Sequence, residues 1–316
     1  MSRRVSVGIV GAGAIGTLLA HRFAREGHLV TVVARGERLR ELRESGGELR
    51  VRDGLAVDES RACVHVVDRV RDASVARGGT DYLFVTVRRQ QADALLDELR
   101  ASRARQVVFV FNAATDLERY RDAVGKERFL WLFPAAVAAF EGPVLVGGTV
   151  PSALRFLQIT TLGALPDHTP EATTELRRLL AEAGIASAFV DDMQAWLCTH
   201  AAFMAPVIAA GVLAAQGGSS VASDAELVAR AMSEGFRSVE RSGRKLVPTN
   251  MACLARIPDT WRSLAIRLVF RGASARRAVG GRHARDEAVA MLDDLIALSA
   301  DHSGDLRLLR RRLTRD

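Results

Sequence analysis

Three short stretches of the chain carry residue types able to do chemistry. The first, "GIVGAGAIG", sets Gly11, Gly13 and Gly16 in a G-x-G-x-x-G array. In such an array the first glycine permits a tight turn, the second lets a pyrophosphate approach the backbone, and the third lets a helix pack closely on its strand. The backbone of Gly11, Ala12, Gly13, Ala14, Ile15 and Gly16 is then the candidate phosphate cradle, at the positive end of a helix dipole. About two dozen residues beyond Gly11 stands Arg35, at the end of a second apolar run where an acidic residue would select NAD. An arginine there can meet a 2′-phosphate, so the expected cofactor is NADP(H).

The second stretch, "MQAWLCTH", crowds the thiol of Cys198, the hydroxyl of Thr199 and the imidazole of His200 into three residues. Cys198 is open to three readings: a proton donor, a nucleophile, or a small buried side chain, since free cysteine is among the most buried residue types. His200 lies about 200° further round a helix, on nearly the opposite face. A proton donor and a structural helix histidine both fit it. In the third stretch, "GRHARDEAVAMLDDL", His283 and Glu287 are four residues apart and stack at a helix start. A neighbouring carboxylate favours the imidazolium, which would make the pair a donor; acidic residues are equally at home in a first turn.

The elements that must hold these groups follow from periodicity. "RVSVGIV", "HLVTVVA", "DYLFVTV", "RQVVFVF", "LRFLQITTLG" and "IASAFV" read as strands, separated by helical stretches at 14–26, 90–99 and 173–183. Strand–helix alternation with β-branched, apolar strands predicts a Rossmann-type, doubly wound parallel sheet over residues 1–190. From Asp191 the strand signals stop. Helical spacing takes over, as in 286–299 with Val289, Leu292, Leu295 and Ile296 on one stripe, and predicts an all-α domain over 191–316.

Composition narrows the classes. With 316 residues, 48% of them hydrophobic, the chain can bury the cores of two domains. The net charge of +7 is carried almost wholly by scattered arginines, lysine occurring only at 126 and 245. Aromatic residues make up 5%, so no stacking platform for bases accompanies the charge, and nucleic acid is not an expected partner. Cys63, Cys198 and Cys253 lack metal-ligand or disulfide spacing, which points to a reducing, cytoplasmic setting. The longest apolar run, 201–215, falls short of the ~18 residues of a membrane span, so no membrane partner is expected.

Taken together, "GAGAIG", "GHLVTVVARG", "DYLFVTVRRQQ", the Asn112 of "VFVFNAA" and "DMQAWLCTH" resemble the ketopantoate reductase (2-dehydropantoate 2-reductase) family over almost the whole chain, as a divergent member. The resemblance implies an NADPH-binding domain, a helical domain for substrate binding and homodimerisation, and hydride transfer to a 2-keto acid in the crevice between them. It assigns Arg88 and Gln91 to the family's lysine and following glutamine near the cofactor. Its Asn-Gly becomes Asn112-Ala113, with Asn112 near cofactor and substrate, although a turn cap fits Asn112 as well. It aligns Glu287 with the family's glutamate and, loosely, Ser274 with its substrate serine.

The catalytic lysine of the family aligns with Cys198, which cannot supply a positive charge. The fuller signature of pantoate-forming members is also absent. The expected activity is therefore reduction of a small 2-keto acid, ketone or imine other than ketopantoate, an anionic or carbonyl-bearing molecule. The alternative is an NADP-binding protein without hydride transfer: a lyase, cyclase or sensor.

Overall fold

The computed structural model describes residues 4–53, 58–75, 79–149, 159–165, 170–215, 221–270, 284–299 and 303–314. The chain divides into two units, the first formed by residues 1–111 and 118–193, the second by residues 112–117 and 194–316. The six residues 112–117 thus leave the sheet unit that flanks them and join the helices.

In the first unit the strands are β1 (Ser6–Val10), β2 (Leu29–Val33), β3 (Glu48–Arg52), β4 (Ser60–Cys63), β5 (His65–Val67), β6 (Tyr82–Val85), β7 (Gln106–Phe109), β8 (Phe129–Phe133), β9 (Ala136–Glu141), β10 (Val144–Thr149), β11 (Thr160–Gly163) and β12 (Ser187–Val190). Its helices are α1 (Ala14–Arg25), α2 (Gly36–Glu44), α3 (Val70–Val75), α4 (Arg89–Asp93), α5 (Leu96–Ala101), α6 (Leu117–Val124) and α7 (Pro170–Glu182). The main sheet runs β12-β11-β8-β7-β6-β1-β2-β5. Strands β5, β2, β1, β6, β7 and β8 are all parallel, in the doubly wound order in which the chain builds outward from β1 on one side and then returns to β6 on the other. Because helices cover parallel strands on both faces, β6 and β7 are buried along their whole length.

Two features depart from the expected all-parallel sheet. Strand β11 pairs with β8 antiparallel, Leu162 opposite Leu132, so the sheet is mixed. A parallel neighbour needs a crossover helix, and between β8 and β11 the described residues hold only the β9–β10 hairpin. That hairpin belongs to a second, four-stranded sheet of order β4-β3-β10-β9, which sequence periodicity did not reveal. Leu18 of α1 packs with Val51 of β3 and Leu145 of β10 beneath it. The expected helix over 90–99 is also broken, into α4 and α5, around Ala94 and Leu95.

The second unit holds α8 (Met193–Ala215, its first residue counted with the sheet unit), α9 (Val221–Arg241), α10 (Thr249–Ala255), α11 (Asp259–Val269), α12 (Ala284–Ser299) and α13 (Gly304–Thr314). Helix α8 is longer than its uninterrupted apolar run and by length and composition alone could cross a membrane, but 78% of its most apolar window is buried. An apolar surface on all sides suits a helix enclosed by others. Its alanines permit close approach: a Cβ on Gly235 of α9 would stand 3.2 Å from the Ala202 Cβ. Ala201, Ala205 and Ala209 share one core with Val228, Met232, Leu292, Leu295 and Leu309.

His200 sits in α8 with only 8% of its surface exposed, its ring stacked on Trp196 at 5.0 Å. Burial lowers its pKa from 6.5 to about 3. In the sheet unit, burial likewise lowers that of His21 to about 4. Both imidazoles are therefore neutral in the folded protein at neutral pH.

Two expectations follow. Replacing Gly16 with alanine brings a Cβ to 2.0 Å from the Gly11 carbonyl oxygen, so α1 must shift, at a cost on the order of 3 kcal/mol. Thermal unfolding of Gly16→Ala will show it, and an unchanged midpoint would mean α1 is free to slide. Between pH 6.5 and about 3 the unfolded chain protonates His200 while the folded chain does not, so stability falls as pH is lowered through that window. The decline in unfolding midpoint with acid will be shallower in His200→Gln, and equal slopes would remove His200 as a cause.

Candidate functional site

The chain enters the glycine loop at the carboxyl end of β1, beside β6, where the strand order reverses. In open α/β sheets this switch point is where ligands bind. Gly11 adopts φ +110°, and a side chain there would meet Val87 at 2.7 Å. Thr86, just after β6, donates its hydroxyl to the Gly11 carbonyl at 2.9 Å and to that of Val10 at 3.1 Å. Sequence motifs did not single out Thr86; its position at the end of the strand next to β1 was the available signal. Thr17 secures the loop from the helix side by donating to the buried Ala12 carbonyl at 3.2 Å.

Gly13 differs from its neighbours. Its φ is −72°, which any residue adopts, and nothing lies within 4 Å of where a Cβ would stand. Neither backbone strain nor internal packing demands glycine at this point. What a side chain would occupy is the open space before α1, a helix whose start has no side-chain cap and no acidic residue in its first turn. The first amides of a helix have no partner within it, and at Ala14, Ile15 and Gly16 they suit a diphosphate. The residues present therefore fit the dinucleotide that the motif implies.

Arg35 is the residue that precedes α2, directly after β2. Its side chain is 63% exposed, and the guanidinium lies 3.4 Å from the carboxylate of Glu98, whose side chain is 43% exposed. A long pair in solvent is weak, and a doubly charged phosphate would displace it. Arg38 is more committed, bonded to Glu41 at 3.0 Å and lying 4.6 Å over the Phe140 ring. Arg88 precedes α4, and Gln91 accepts its backbone N–H at 3.2 Å, so the Gln91 carbonyl serves the helix start.

The remaining candidates meet in the second unit. Asn112 is half-buried and donates its side-chain amide to the exposed carboxylate of Glu287 on α12. Ala113 is buried and its φ is not positive, so the backbone does not require a glycine here. Ala114 is bound through both backbone groups: its N–H goes to Asp294 of α12 at 2.9 Å, and its carbonyl accepts from Gln194 and from the Cys198 thiol. Thr115 donates to the other Asp294 oxygen at 2.9 Å, and Gln194 accepts from the Leu117 amide at 3.3 Å.

Cys198 thus has no exposed surface, and its Sγ lies 2.9 Å from the carbonyl of Ala114. In this position the thiol fastens a backbone segment. Thr199 is equally internal, donating to Ala195 and accepting from Val247. His200, neutral and stacked on Trp196, carries no proton to donate as a cation. His283 and Ser274 lie outside the described residues. Asp294 and Gln194 were not foreseen, although Asp294, two turns along α12 from Glu287, shares its face.

Residues 7–151 match the family model described as "Ketopantoate reductase PanE/ApbA". No curated protein sequence matches the chain. Among solved structures, the 2-dehydropantoate 2-reductase from Geobacter metallireducens GS-15 superposes with a TM-score of 0.72 at 17% identity, covering 97% of this chain and 98% of that one. The corresponding enzyme from Methylococcus capsulatus gives 0.69 at 16% identity over 98% of both chains. D-Mandelate dehydrogenase with NADH and anilino(oxo)acetate gives 0.70 at 13% identity, covering 97% and 96%. Residues 7–151 are thus similar to the ketopantoate reductase PanE/ApbA family, and over almost its whole length the chain has the fold of the solved ketopantoate reductases.

Proposed function

We propose that the chain is an NADPH-dependent reductase acting on the carbonyl or imino group of a small molecule other than ketopantoate. The observation that carries this reading is the open space at Gly13 before the uncapped start of α1. Arg35, weakly paired and exposed, supports the phosphorylated form of the cofactor. The solved D-mandelate dehydrogenase, crystallised with NADH and an oxo compound, supports a keto-bearing substrate.

When bound, the reduced nicotinamide supplies a hydride to the carbonyl or imino carbon. The chain's own residues do the rest. The amides of Ala14, Ile15 and Gly16 hold the diphosphate, and Arg35 neutralises the 2′-phosphate. Asn112 orients the substrate oxygen or nitrogen with the amide hydrogen it does not give to Glu287. The proton for that same atom comes from solvent, delivered by a water that the exposed Glu287 carboxylate can orient. General acid help of this kind is worth about 10²–10⁴-fold. With a buried thiol at Cys198 in place of a cation, nothing at that position draws in a carboxylate, which supports a substrate unlike ketopantoate.

The same buried thiol favours a second reading, a cofactor-binding protein that transfers no hydride. One experiment separates them: titration of the purified chain with NADPH, followed by a screen of keto acids, ketones and imines for NADPH consumption. Binding with consumption is expected. Binding without consumption across the screen establishes the second reading, and absence of binding removes both.

Two variants test the cofactor assignments. Gly13→Ala should leave the unfolding midpoint unchanged while weakening NADPH on the order of tenfold, since only the ligand meets the added methyl. Arg35→Asp should weaken NADPH about 10- to 100-fold and spare NADH, the loss expected for a charge-assisted pair. Equal weakening of both cofactors would show that Arg35 does not read the 2′-phosphate.

A further inference from the structure

We infer that Asp294 is a positioning residue, which holds segment 112–117 along α12 so that Asn112 is presented at the level of Glu287. The inference rests on the reading of Asn112 as the group that orients substrate.

A six-residue connection ordinarily gives its backbone to water. Here Ala114 is 1% exposed and shares the core of Cys198 and Leu292, so its N–H and carbonyl must find partners inside the protein. Asp294 takes the N–H, and Gln194 and Cys198 take the carbonyl. The second Asp294 oxygen takes the Thr115 hydroxyl. The two contacts use separate oxygens, so one carboxylate fixes two consecutive residues.

The register explains the consequence for Asn112. Seven residues separate Glu287 from Asp294, two turns that rise about 10 Å along one face of α12. From Asn112 to Ala114 and Thr115 the chain advances two to three residues, roughly 7–10 Å when extended. The segment therefore runs alongside the helix, Asn112 meeting Glu287 at one end and residues 114 and 115 meeting Asp294 at the other. Next in sequence, Asp116 holds φ +65°, a left-handed conformation that persists where its surroundings impose it. Thr115 before it and Leu117 after it are both fastened by side chains.

Losing Asp294 removes these contacts of Ala114 and Thr115 with α12 and leaves Asn112 tied to that helix through Glu287 alone. Gln194 and Cys198 still hold the Ala114 carbonyl, but the peptide can turn about that point, and Asn112 with it. A displacement of about 1 Å at a positioning group can cost ~100-fold in rate. The role assigned to Asp294 is hydrogen-bonding geometry and not charge. An asparagine can reproduce it, its carbonyl accepting from Ala114 and its amide donating to the Thr115 hydroxyl, which both accepts and donates.

Asp294→Ala, Asp294→Asn and Asn112→Ala test this in the full chain. Hydrogen exchange of peptides covering 112–117, measured without ligand, should accelerate at least about tenfold in Asp294→Ala and stay within about threefold of the parent in Asp294→Asn. With a compound that the parent chain reduces, Asp294→Ala should lower kcat about 10- to 100-fold, leave NADPH affinity within about twofold, and be largely rescued by Asp294→Asn. In the Asn112→Ala background the same substitution should cost less than about twofold, because its effect passes through Asn112. Unchanged exchange in Asp294→Ala, an Asp294→Asn variant as impaired as alanine, or full additivity with Asn112→Ala would each overturn the inference. If the parent chain reduces nothing, the reductase reading falls, and the exchange measurement still decides whether Asp294 holds the segment.

Discussion

The contact between α1 and the end of β1 is the constraint from which the sheet unit is built. At Gly16 the helix lies so close to the Gly11 carbonyl that a methyl group could not intervene. This closeness sets where α1 begins and directs its unpartnered amides over the loop instead of into the core. The opposite side of α1 is used as well. Leu18 anchors the second sheet, and His21 meets Ser60 of β4 at 3.1 Å. One helix therefore joins the glycine loop to a second sheet that takes no part in forming it.

In the helical unit the corresponding constraint is the burial of α8. A helix that is apolar on all sides can carry polar side chains only where each finds a partner. Thr199 bonds within its own helix and to Val247, Gln194 serves Ala114 and Leu117, and Cys198 points at the Ala114 carbonyl. His200 meets the same demand by giving up its charge. The polar cluster that makes this helix conspicuous in the sequence is thus largely occupied with holding the segment 112–117, which the chain sends over from the sheet.

How much of this was legible depended on how local each requirement is. The glycine loop could be read residue by residue, because tight turn, open approach and close packing are all decided within six positions. Arg35 was legible for the same reason, its place being set by the strand just before it. The second sheet was hidden: in "ELRVR" the buried Leu49 and Val51 alternate with charged residues in a strand of five, and its partner β10 lies far along the chain. Cys198 could be located but not interpreted, since its partner carbonyl is 84 residues away. Asp294 belongs to no motif, and only the return of residues 114 and 115 to its helix gives it a task.

The arginines show how charge is distributed once the chain is folded. Arg22 pairs with Asp53, Arg50 with Glu59, Arg52 with Glu141, Arg230 with Asp305 and Arg310 with Asp293. Among the described residues these arginines are engaged in pairs, so a net charge of +7 does not by itself imply a polyanionic partner. Arg35 belongs to another category. Its carboxylate lies at the limit of hydrogen-bonding distance, both groups are largely in water, and the backbone after it turns into α2 through Gly36 at φ +58°. The cost of separating an exposed pair is close to nothing. A guanidinium so weakly held, at the end of the strand beside β1, keeps nearly all of its interaction energy for whatever anion arrives there.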